Sequence, residues 1–360
     1  MPTDFSQRLL HWFDRHGRKD LPWQRSRDPY RIWVSEIMLQ QTQVNTVIPY
    51  YNRFLERFPD IAALAGASQD EVLHRWTGLG YYARGRNLHK AAQIIQQQHA
   101  GIFPTDLDGV CALPGIGRST AGAILAFAHG QRHAILDGNV RRVLTRYHAL
   151  AGWPGGRDVE TQLWELAEQH TPTNRIQDYT QAIMDLGATV CRRSKPVCPA
   201  CPLVDTCTAQ AQGNPQTYPT GKPRQALPEK HATMLMIRNH HGHVLLQQRP
   251  PVGVWGGLWG FPECAPTDDT AQWCRDTLGL EVMMETPWPA LRHTFSHFHL
   301  HITPIPARVS GGNGGASGKI MEPTGAVWYN LSLPDERGLA APVKSLLEQL
   351  RCSALPKSHQ

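Results

Sequence analysis

The chain has 360 residues, with 36 Lys and Arg against 30 Asp and Glu, and it contains eight Cys. A composition that is 41% hydrophobic and 18% charged excludes a disordered or fibrous chain, and the length favours two domains over one. Runs of apolar residues and glycine such as Ala121 to Ala128 are too short to span a bilayer. Residues 1–25 show no signal-peptide pattern, so the sequence predicts a cytoplasmic protein with no membrane partner.

The basic residues are unevenly distributed along the chain. The whole net charge of +6 falls on residues 1–224, and residues 225–360 are neutral. This excess is compatible with a polyanionic partner, although taken alone it is also typical of an ordinary solvated surface.

The first 190 residues predict helices. Asp28-Pro29 is a helix start with proline at the first helical position, after which Trp33, Ile37 and Val44 lie close to one stripe. The Ser-x-x-Glu pattern at residues 68–71 is a capping box in front of an apolar run. Further helices are predicted over Asp106–Ala112, over Ser119–Ala128, and after Asp137-Gly138, where Val140, Val143, Leu144 and Tyr147 repeat at helical spacing.

Beyond the helices the pattern changes. Residues 208–230 contain four Pro and two Gly and predict a semi-extended linker. The elements predicted after it are strands over His231–Ile237, His243–Gln247 and Phe295–Ile305 and a helix over Val343–Leu350. These elements indicate an α+β domain, in which the glycine-rich residues 310–318 form a flexible loop.

Four of the eight cysteines form the cluster Cys191-x6-Cys198-x2-Cys201-x5-Cys207. In a reducing compartment such a cluster indicates a metal site rather than a disulfide framework. Thiolates suit both tetrahedral zinc and iron–sulfur clusters, and the spacing alone leaves both open.

A glycine turn, Gly115-Ile116-Gly117, lies between two predicted helices and precedes Arg118. Glycines let the backbone approach a ligand closely, and a helix N-terminus presents free N–H groups to an anion. The turn therefore predicts a phosphate site, with a plain helix–helix connection as the alternative. Twenty residues after Gly117, Asp137 follows an apolar pair and precedes a helix, which in isolation indicates a helix N-cap.

Together the glycine turn, Asp137 and the cysteine spacing resemble the helix-hairpin-helix DNA glycosylase superfamily, in its endonuclease III branch. The resemblance implies that Cys191, Cys198, Cys201 and Cys207 hold a [4Fe–4S] cluster, which decides between the two metals. The strings 35–43 (Ser-Glu-Ile-Met-Leu-Gln-Gln-Thr-Gln), 78–82 (Gly-Leu-Gly-Tyr-Tyr) and 295–297 (Phe-Ser-His) resemble the MutY family of adenine DNA glycosylases.

The MutY resemblance runs from the first helix to Leu350 and implies the domain organisation. An all-α helix-hairpin-helix glycosylase domain with the cluster loop is expected over residues 1–207. A linker over 208–230 and an α+β Nudix-like domain over 231–352 follow.

The resemblance assigns catalytic roles that fit the chemistry of breaking the bond between adenine and its sugar. Neutral adenine is a poor leaving group, so an acid must protonate it, and a carboxylate must stabilise the oxocarbenium-like sugar. Glu36 matches the acid and needs a raised pKa, Asp137 matches the carboxylate, and Asn139 orients Asp137. A solvated helix charge is the alternative for Glu36.

The resemblance also implies a monomeric enzyme. Its partner would be double-stranded DNA that contains adenine opposite 8-oxoguanine or guanine. Gln41 and Tyr81 would fill the stack around the opposite base and Thr42 would contact it, whereas Tyr82 is expected to be a core residue. The Phe295-Ser296-His297 loop would read 8-oxoguanine, with a plain alternating strand as the alternative. The residues implicated in DNA binding are Gln41, Thr42, Tyr81, Gly115, Gly117, Arg118, Ser119, Phe295, Ser296 and His297.

Two positions limit the range of activities. Bifunctional relatives carry a lysine where this chain has Ser119, and a hydroxyl cannot form a Schiff base, so a monofunctional glycosylase is predicted. The Nudix-like region has Ala271, Gln272 and Arg275 near where metal-binding carboxylates are expected, which argues against pyrophosphate hydrolysis. The alternatives are a bifunctional glycosylase/lyase of the endonuclease III type and a non-catalytic iron–sulfur DNA-binding protein.

Overall fold

The computed structural model describes residues 4–222, 226–310 and 325–354. The chain divides into two compact units, of which the first comprises residues 1–66 and 87–224. The second comprises residues 67–86 and 225–360, so it takes a segment from the middle of the helical region. The domain boundaries at residues 207 and 230 stay predictions.

Helices build the first unit. Its helices are α1 (Asp4–His16), α2 (Pro29–Leu39), α3 (Val44–Arg57), α4 (Ile61–Gly66), α6 (Ala83–Gln98, which begins in the second unit), α7 (Leu107–Cys111), α8 (Arg118–His129), α9 (Gly138–Tyr147), α10 (Arg157–His170), α11 (Ile176–Asp185) and α12 (Thr208–Ala211). Buried apolar side chains of α1, α8, α9, α10 and α11 share one core. No described helix is both long and apolar enough to cross a membrane.

The predicted start of α2 is confirmed, but its predicted apolar stripe extends too far. Asp28 caps α2 by accepting the N–H of Tyr30 at 3.0 Å. The helix ends at Leu39, because Gln41 adopts a left-handed backbone conformation (φ 57°) that a helix cannot continue through. Val44 therefore starts the separate helix α3 and does not share a stripe with Trp33.

The semi-extended conformation predicted for residues 208–230 is wrong for the first ten of them. They form α12 and, after a turn, a 3-10 helix over Pro215–Thr217. Ala209 and Pro215 are buried, so hydrophobic contacts with the helical unit outweigh the proline-rich composition here.

The described part of the second unit consists of a mixed sheet with helices, besides the start of α6. The strands are β1 (Glu229–Arg238), β2 (Val244–Gln248), β3 (Trp259–Gly260), β4 (Glu263–Cys264), β5 (Val282–Met284), β6 (Leu291–Thr294), β7 (His299–Val309) and β8 (Ala326–Tyr329). The helices are α5 (Gln69–Trp76), α13 (Thr270–Trp273) and α14 (Ala341–Ala354). The main sheet path is β3-β2-β1-β7-β5, with β1 parallel to β7 and antiparallel to β2. The strands predicted over His231–Ile237 and His243–Gln247 and the helix predicted over Val343–Leu350 are confirmed. The loop predicted over 310–318 lies, apart from Ser310, outside the described residues.

The long strand predicted over Phe295–Ile305 is wrong at its start. Strand β6 ends at Thr294 and pairs antiparallel with β7, with Thr294 opposite His299. Phe295 N–H donates to Phe298 O at 2.9 Å, which closes a tight turn over Phe295–Phe298. No glycine or proline marks this turn in the sequence, but the apolar positions change there from odd-numbered residues (Leu291, Phe295) to even-numbered ones (Phe298, Leu300).

Helix α5 and the residues after it belong to the second unit through specific contacts. Ser68 caps α5 by accepting the N–H of Glu71, as predicted. The hydroxyl of Tyr82 donates to Leu339 O at 3.1 Å, and Trp259 Nε1 donates to Asp70 Oδ1 at 3.0 Å. Tyr82 is buried, as expected of a core residue.

Candidate active site

A cavity of about 900 Å³ lies in the first unit at the ends of several helices. Its walls include six of the predicted site residues: Glu36, Gln41, Thr42, Ser119, Asp137 and Asn139. These side chains come from α2, the turn after it, α8 and the start of α9. The fold thus brings together residues that lie up to about one hundred positions apart in the sequence.

Glu36 occupies a position between two cavities. It lines the large cavity and also a smaller one of about 250 Å³. Burial raises the pKa of Glu36 to about 8, and the negative charge of Asp137 adds to this shift. At neutral pH the side chain is therefore a carboxylic acid with a proton to donate.

Asp137 is the N-cap of α9, and the same side chain faces the large cavity. One carboxylate oxygen accepts the N–H of Asn139 at 3.0 Å and the N–H of Val140 at 2.8 Å. The other accepts Asn139 Nδ2 at 3.1 Å. Burial raises the pKa of Asp137, while these bonds and the charge of Arg142 oppose the shift. Capping and exposure to the cavity therefore coexist in one residue.

Arg142 was not identified from the sequence, and it supports Asn139. Its Nη2 donates to Asn139 Oδ1 at 2.8 Å and to Gly187 O at 2.6 Å. Its Nε donates to Cys191 O at 2.7 Å. The hydrogen-bonded path from the first cluster cysteine to Asp137 therefore passes through Arg142 and Asn139. The only sequence signal is a pair of arginines one helical turn after Asp137.

The smaller cavity contains further side chains that sequence reasoning missed. Trp23, Arg18 and Gln181 line it together with Glu36. Asp185 is fully buried and accepts Arg18 Nη2 at 2.6 Å and Gln181 Nε2 at 2.7 Å. A flat aromatic wall and fixed polar groups suit a heterocyclic base. Gln181 and Asp185 both lie on α11, whereas Arg18, Trp23 and Glu36 come from other parts of the chain, and no motif links the set in the sequence.

The turn between α2 and α3 lies at the rim of the large cavity. Gln41 is exposed in a left-handed backbone conformation, and Thr42 follows it. Gln40 Nε2 donates to Thr120 Oγ1 at 3.4 Å, which links this turn to α8. The hydroxyl of Ser119 accepts the N–H of Leu136 at 2.9 Å, so it holds the backbone next to Asp137.

The glycine turn connects α7 to α8 as predicted. Gly115 has φ 81°, and a Cβ there would lie 2.9 Å from Asn87 Cβ. Gly117 is the N-cap of α8, with open space where its Cβ would be. Arg118 does not line either cavity. Its guanidinium lies 4.0 Å over the Trp164 ring and forms a 2.9 Å ion pair with Glu168.

The remaining predicted DNA-contacting residues belong to the second unit. Tyr81 is 52% exposed and has a left-handed backbone conformation (φ 48°). Ser296 and His297 are exposed at the hairpin turn, while Phe295 is half-buried and stacks on Phe298 at 4.6 Å.

The four cluster cysteines line one small cavity. All four are free thiols, and Arg146 Nη1 lies 3.3 Å from Cys191 Sγ. Buried Arg146 also donates to Arg192 O at 2.7 Å and to Tyr218 O at 2.9 Å, which holds the cysteine loop around the cavity. Within the described residues no three acidic, His or Cys side chains are placed to hold a single metal ion. The donor set fits a group that all four thiolates reach around a shared cavity.

In the second unit, polar side chains of the Nudix-like region pair with one another. Glu263 forms an ion pair with Arg249. Gln272 donates to Asp276 Oδ1 at 2.8 Å and accepts from Arg275.

Comparisons with known proteins match this architecture. Residues 34–169 match the family described as HhH-GPD superfamily base excision DNA repair protein, and residues 233–349 match the NUDIX domain family. The adenine DNA glycosylase of Buchnera aphidicola subsp. Acyrthosiphon pisum (strain APS) is 39% identical over 96% of this chain and 97% of its own length. The chain belongs to the adenine DNA glycosylase family.

Two further similarities agree with this assignment. The human adenine DNA glycosylase is 36% identical over 83% of this chain and 66% of its own length. The solved structure of a thermostable thymine-DNA glycosylase is 28% identical, with a TM-score of 0.52, over 58% of this chain and 95% of its own. The predicted fold class is confirmed, and the protein is an adenine-specific DNA N-glycosylase of base excision repair.

Proposed function

We propose that this glycosylase hydrolyses the N-glycosidic bond of adenine opposite 8-oxoguanine or guanine, as a monofunctional enzyme that acts as a monomer. One observation carries the proposal. Glu36 and Asp137 share a cavity in which Glu36 has a pKa of about 8 and Asp137 accepts three N–H groups. Glu36 is thereby prepared to donate a proton, and Asp137 is prepared to bear a negative charge.

The two cavities suggest how the chain uses these groups. A flipped adenine fits the smaller cavity beside Trp23, with Arg18 and Gln181 providing hydrogen-bonding groups. Glu36 lines both cavities, so it can protonate the base while the sugar lies in the larger one. Asp137 then stabilises the positive sugar until water attacks it, with Asn139 holding the carboxylate.

The DNA-binding roles follow the positions of the remaining residues. Gln41 and Thr42 lie at the rim of the large cavity, where the opposite strand would pass. Gly115, Gly117 and the N-terminus of α8 offer a close backbone approach and free N–H groups to a phosphate. Arg118 adds positive charge there, although its pairing with Glu168 reduces its contribution.

The absence of an amine at position 119 supports the monofunctional character. The Ser119 side chain has no amine nitrogen to act as a nucleophile, and its hydroxyl accepts the N–H of Leu136. Lys19 lines the smaller cavity, but its Nζ donates to Asp14 O at 2.8 Å. Strand cleavage through a Schiff base is therefore not expected.

The cysteine cavity supports a [4Fe–4S] cluster bound by Cys191, Cys198, Cys201 and Cys207. When bound, the cluster cross-links the loop after α11, and a thiolate site of this kind requires the reducing compartment predicted from the sequence. Arg146 provides positive charge beside Cys191, which suits an anionic group.

The 8-oxoguanine preference is assigned to Tyr81 and the Phe295–Phe298 turn. Ser296 and His297 are exposed at the end of a short hairpin, where they can reach a base edge. Half-buried Phe295 anchors the turn.

A single-turnover assay tests the proposal, with duplexes that contain adenine opposite 8-oxoguanine, guanine or thymine. We expect adenine release from the first two, an intact abasic strand until alkali is added, and little trapping by borohydride. Visible absorbance and four irons per chain would accompany activity. Efficient borohydride trapping would support the bifunctional alternative, and no adenine release by the iron-loaded protein would support the non-catalytic one.

A further inference from the structure

The loop over residues 249–257 in the second unit has no role in the proposed chemistry, but its conformation is closely determined. Trp255 is buried and adopts a left-handed backbone conformation (φ 54°), which is costly for a residue other than glycine. Arg249 Nε donates to Val254 O at 3.0 Å. A Cβ on Gly256 would lie 2.8 Å from Pro251 O, so the backbone here is tightly packed. These contacts fix the backbone of Val254 and Gly256 against the rest of the loop.

One side of this loop contacts the hairpin turn. The Trp255 ring lies 5.3 Å from the ring of Phe295 and 5.3 Å from the ring of His293. Phe295 immediately precedes Ser296 and His297. The Trp255 ring therefore packs against the base of the exposed turn and supports its position.

The other side of the loop contacts the segment that contains Tyr81. Arg86 Nη1 donates to Gly256 O at 2.5 Å. The Arg86 stem also lies against Gly257, where a Cβ would be 3.4 Å from Arg86 Cδ. Burial lowers the pKa of Arg86, which is consistent with a guanidinium held inside the unit.

Arg86 is itself tied to the residues around Tyr81. Its N–H donates to Tyr82 O at 3.1 Å in the first turn of α6. Arg84 Nη2 donates to Leu79 O at 3.1 Å and to Gly80 O at 3.2 Å, which holds the loop that leads into Tyr81. The Arg84 guanidinium also lies 5.5 Å over the Tyr81 ring.

We propose that Arg86 is a positioning residue for base discrimination, which couples Tyr81 to the Phe295–Phe298 turn through Gly256 and Trp255. The inference rests on the proposed function, in which Tyr81 and the turn contact the same opposite base. Arg86 contacts neither the base nor the reacting sugar in this scheme. Loss of the Arg86 side chain changes the spacing between Tyr81 and the Phe295–Phe298 turn, and it leaves cleavage of the glycosidic bond intact.

The experiment compares Arg86→Met with Arg75→Met in the full chain. Methionine keeps most of the stem of Arg86 but cannot donate to Gly256 O. Arg75 is the matched control, because it pairs with Glu336 in the same unit at 3.1 Å and contacts neither the loop nor the turn. The measurement is the ratio of single-turnover rates for adenine opposite 8-oxoguanine and opposite guanine, with enzyme in excess over DNA but below saturation.

We expect Arg86→Met to lower this ratio about tenfold, since a small misplacement of a contacting group has effects of this size. The saturating rate opposite guanine should stay within about twofold, and Arg75→Met should leave the ratio unchanged. Arg86→Lys, which retains the charge and one donor, should restore part of the ratio. If Arg86→Met fails to fold, the same comparison is made with Arg86→Lys and with Trp255→Phe, which should both lower the ratio.

Adding Arg86→Met to Ser296→Ala/His297→Ala separates the possible failures. If Arg86 acts through the turn, the added substitution causes no further fall in the ratio. An equal fall in both backgrounds, or an unchanged ratio in Arg86→Met, overturns the inference. If Ser296→Ala/His297→Ala alone leaves the ratio unchanged, the proposed reading role of the turn is what fails.

Discussion

The protonation state of Glu36 gives a direct test of the catalytic assignment. Its pKa of about 8 arises from burial and from the charge of Asp137. The protonated form is the active one, so activity should be lost as the pH rises through this value. About nine-tenths of Glu36 is protonated at pH 7, and above about pH 9 the rate should fall roughly tenfold per pH unit.

Other charges face the same cavities, so the pH profile needs variants to be assigned. Arg18 lines both cavities, Arg142 and Arg193 line the larger one, and Lys19 and Asp178 line the smaller one. Burial raises the pKa of Asp137, and its protonation at low pH should produce the acidic limb of the profile. We therefore expect a bell-shaped profile whose alkaline limb belongs to Glu36.

The assay measures the single-turnover rate of adenine release at saturating enzyme between about pH 5 and about pH 10. Glu36→Gln should reduce the rate about a hundred- to ten-thousandfold and remove the alkaline limb. Glu56→Gln, at an exposed position of α3, is the matched control and should keep both limbs. In Asp137→Asn the residual alkaline limb should move to lower pH, because the charge that raises the Glu36 pKa is gone. An unchanged alkaline limb in Glu36→Gln would refute the assignment.

Four substitutions give further predictions from the geometry. Asp137→Asn should lower the maximal single-turnover rate about a thousandfold, while a binding titration should show unchanged DNA affinity. A fall in the rate of less than tenfold would contradict the role of Asp137. Gly115→Ala should lower the melting temperature, because the φ of Gly115 is positive and a Cβ would meet Asn87. Gly117→Ala should have the melting temperature of the parent protein, since a Cβ there meets open space, but should bind DNA more weakly at low salt. Arg146→Met should lower the iron content and the visible absorbance, because the carbonyls of Arg192 and Tyr218 lose the donor that Arg146 provides. Full iron content would contradict the support assigned to Arg146.

Local signals in the sequence were sufficient where one residue determines an element. Asp28 and Ser68 cap helices with their own side chains, and the sequence predicts both starts. Asp137 is the most instructive case, since an N-cap and a catalytic carboxylate require the same feature. An ionised carboxylate at a helix N-terminus satisfies both, because its oxygens accept N–H groups while its negative charge faces the cavity.

Local signals were insufficient where tertiary contacts decide. Gln41 takes a left-handed conformation without glycine, so nothing in the sequence marks the end of α2. The turn at Phe295–Phe298 is held by ring stacking between these two residues rather than by turn-forming residue types. Arg18, just after α1, meets Gln181 and Asp185 of α11 because α1 and α11 pack together, and a linear motif cannot record such a meeting.

Residues 67–86 belong to the second unit, which changes how base release and base discrimination can be separated by mutation. The sequence suggests that a chain ending at Lys222 would keep base release and lose discrimination. In the structure, however, Tyr82 donates to Leu339, Asp70 accepts from Trp259, and a Cβ on Gly338 would lie 2.7 Å from Leu73 Cβ. Such a truncation would expose Leu73 and Tyr82, each at a cost of about 1.5–3 kcal/mol. It would also remove the support of Tyr81, so lost activity in the truncated chain would not assign catalysis to residues 225–360. Point substitutions within the second unit leave this core intact, and they are the variants that separate discrimination from base release.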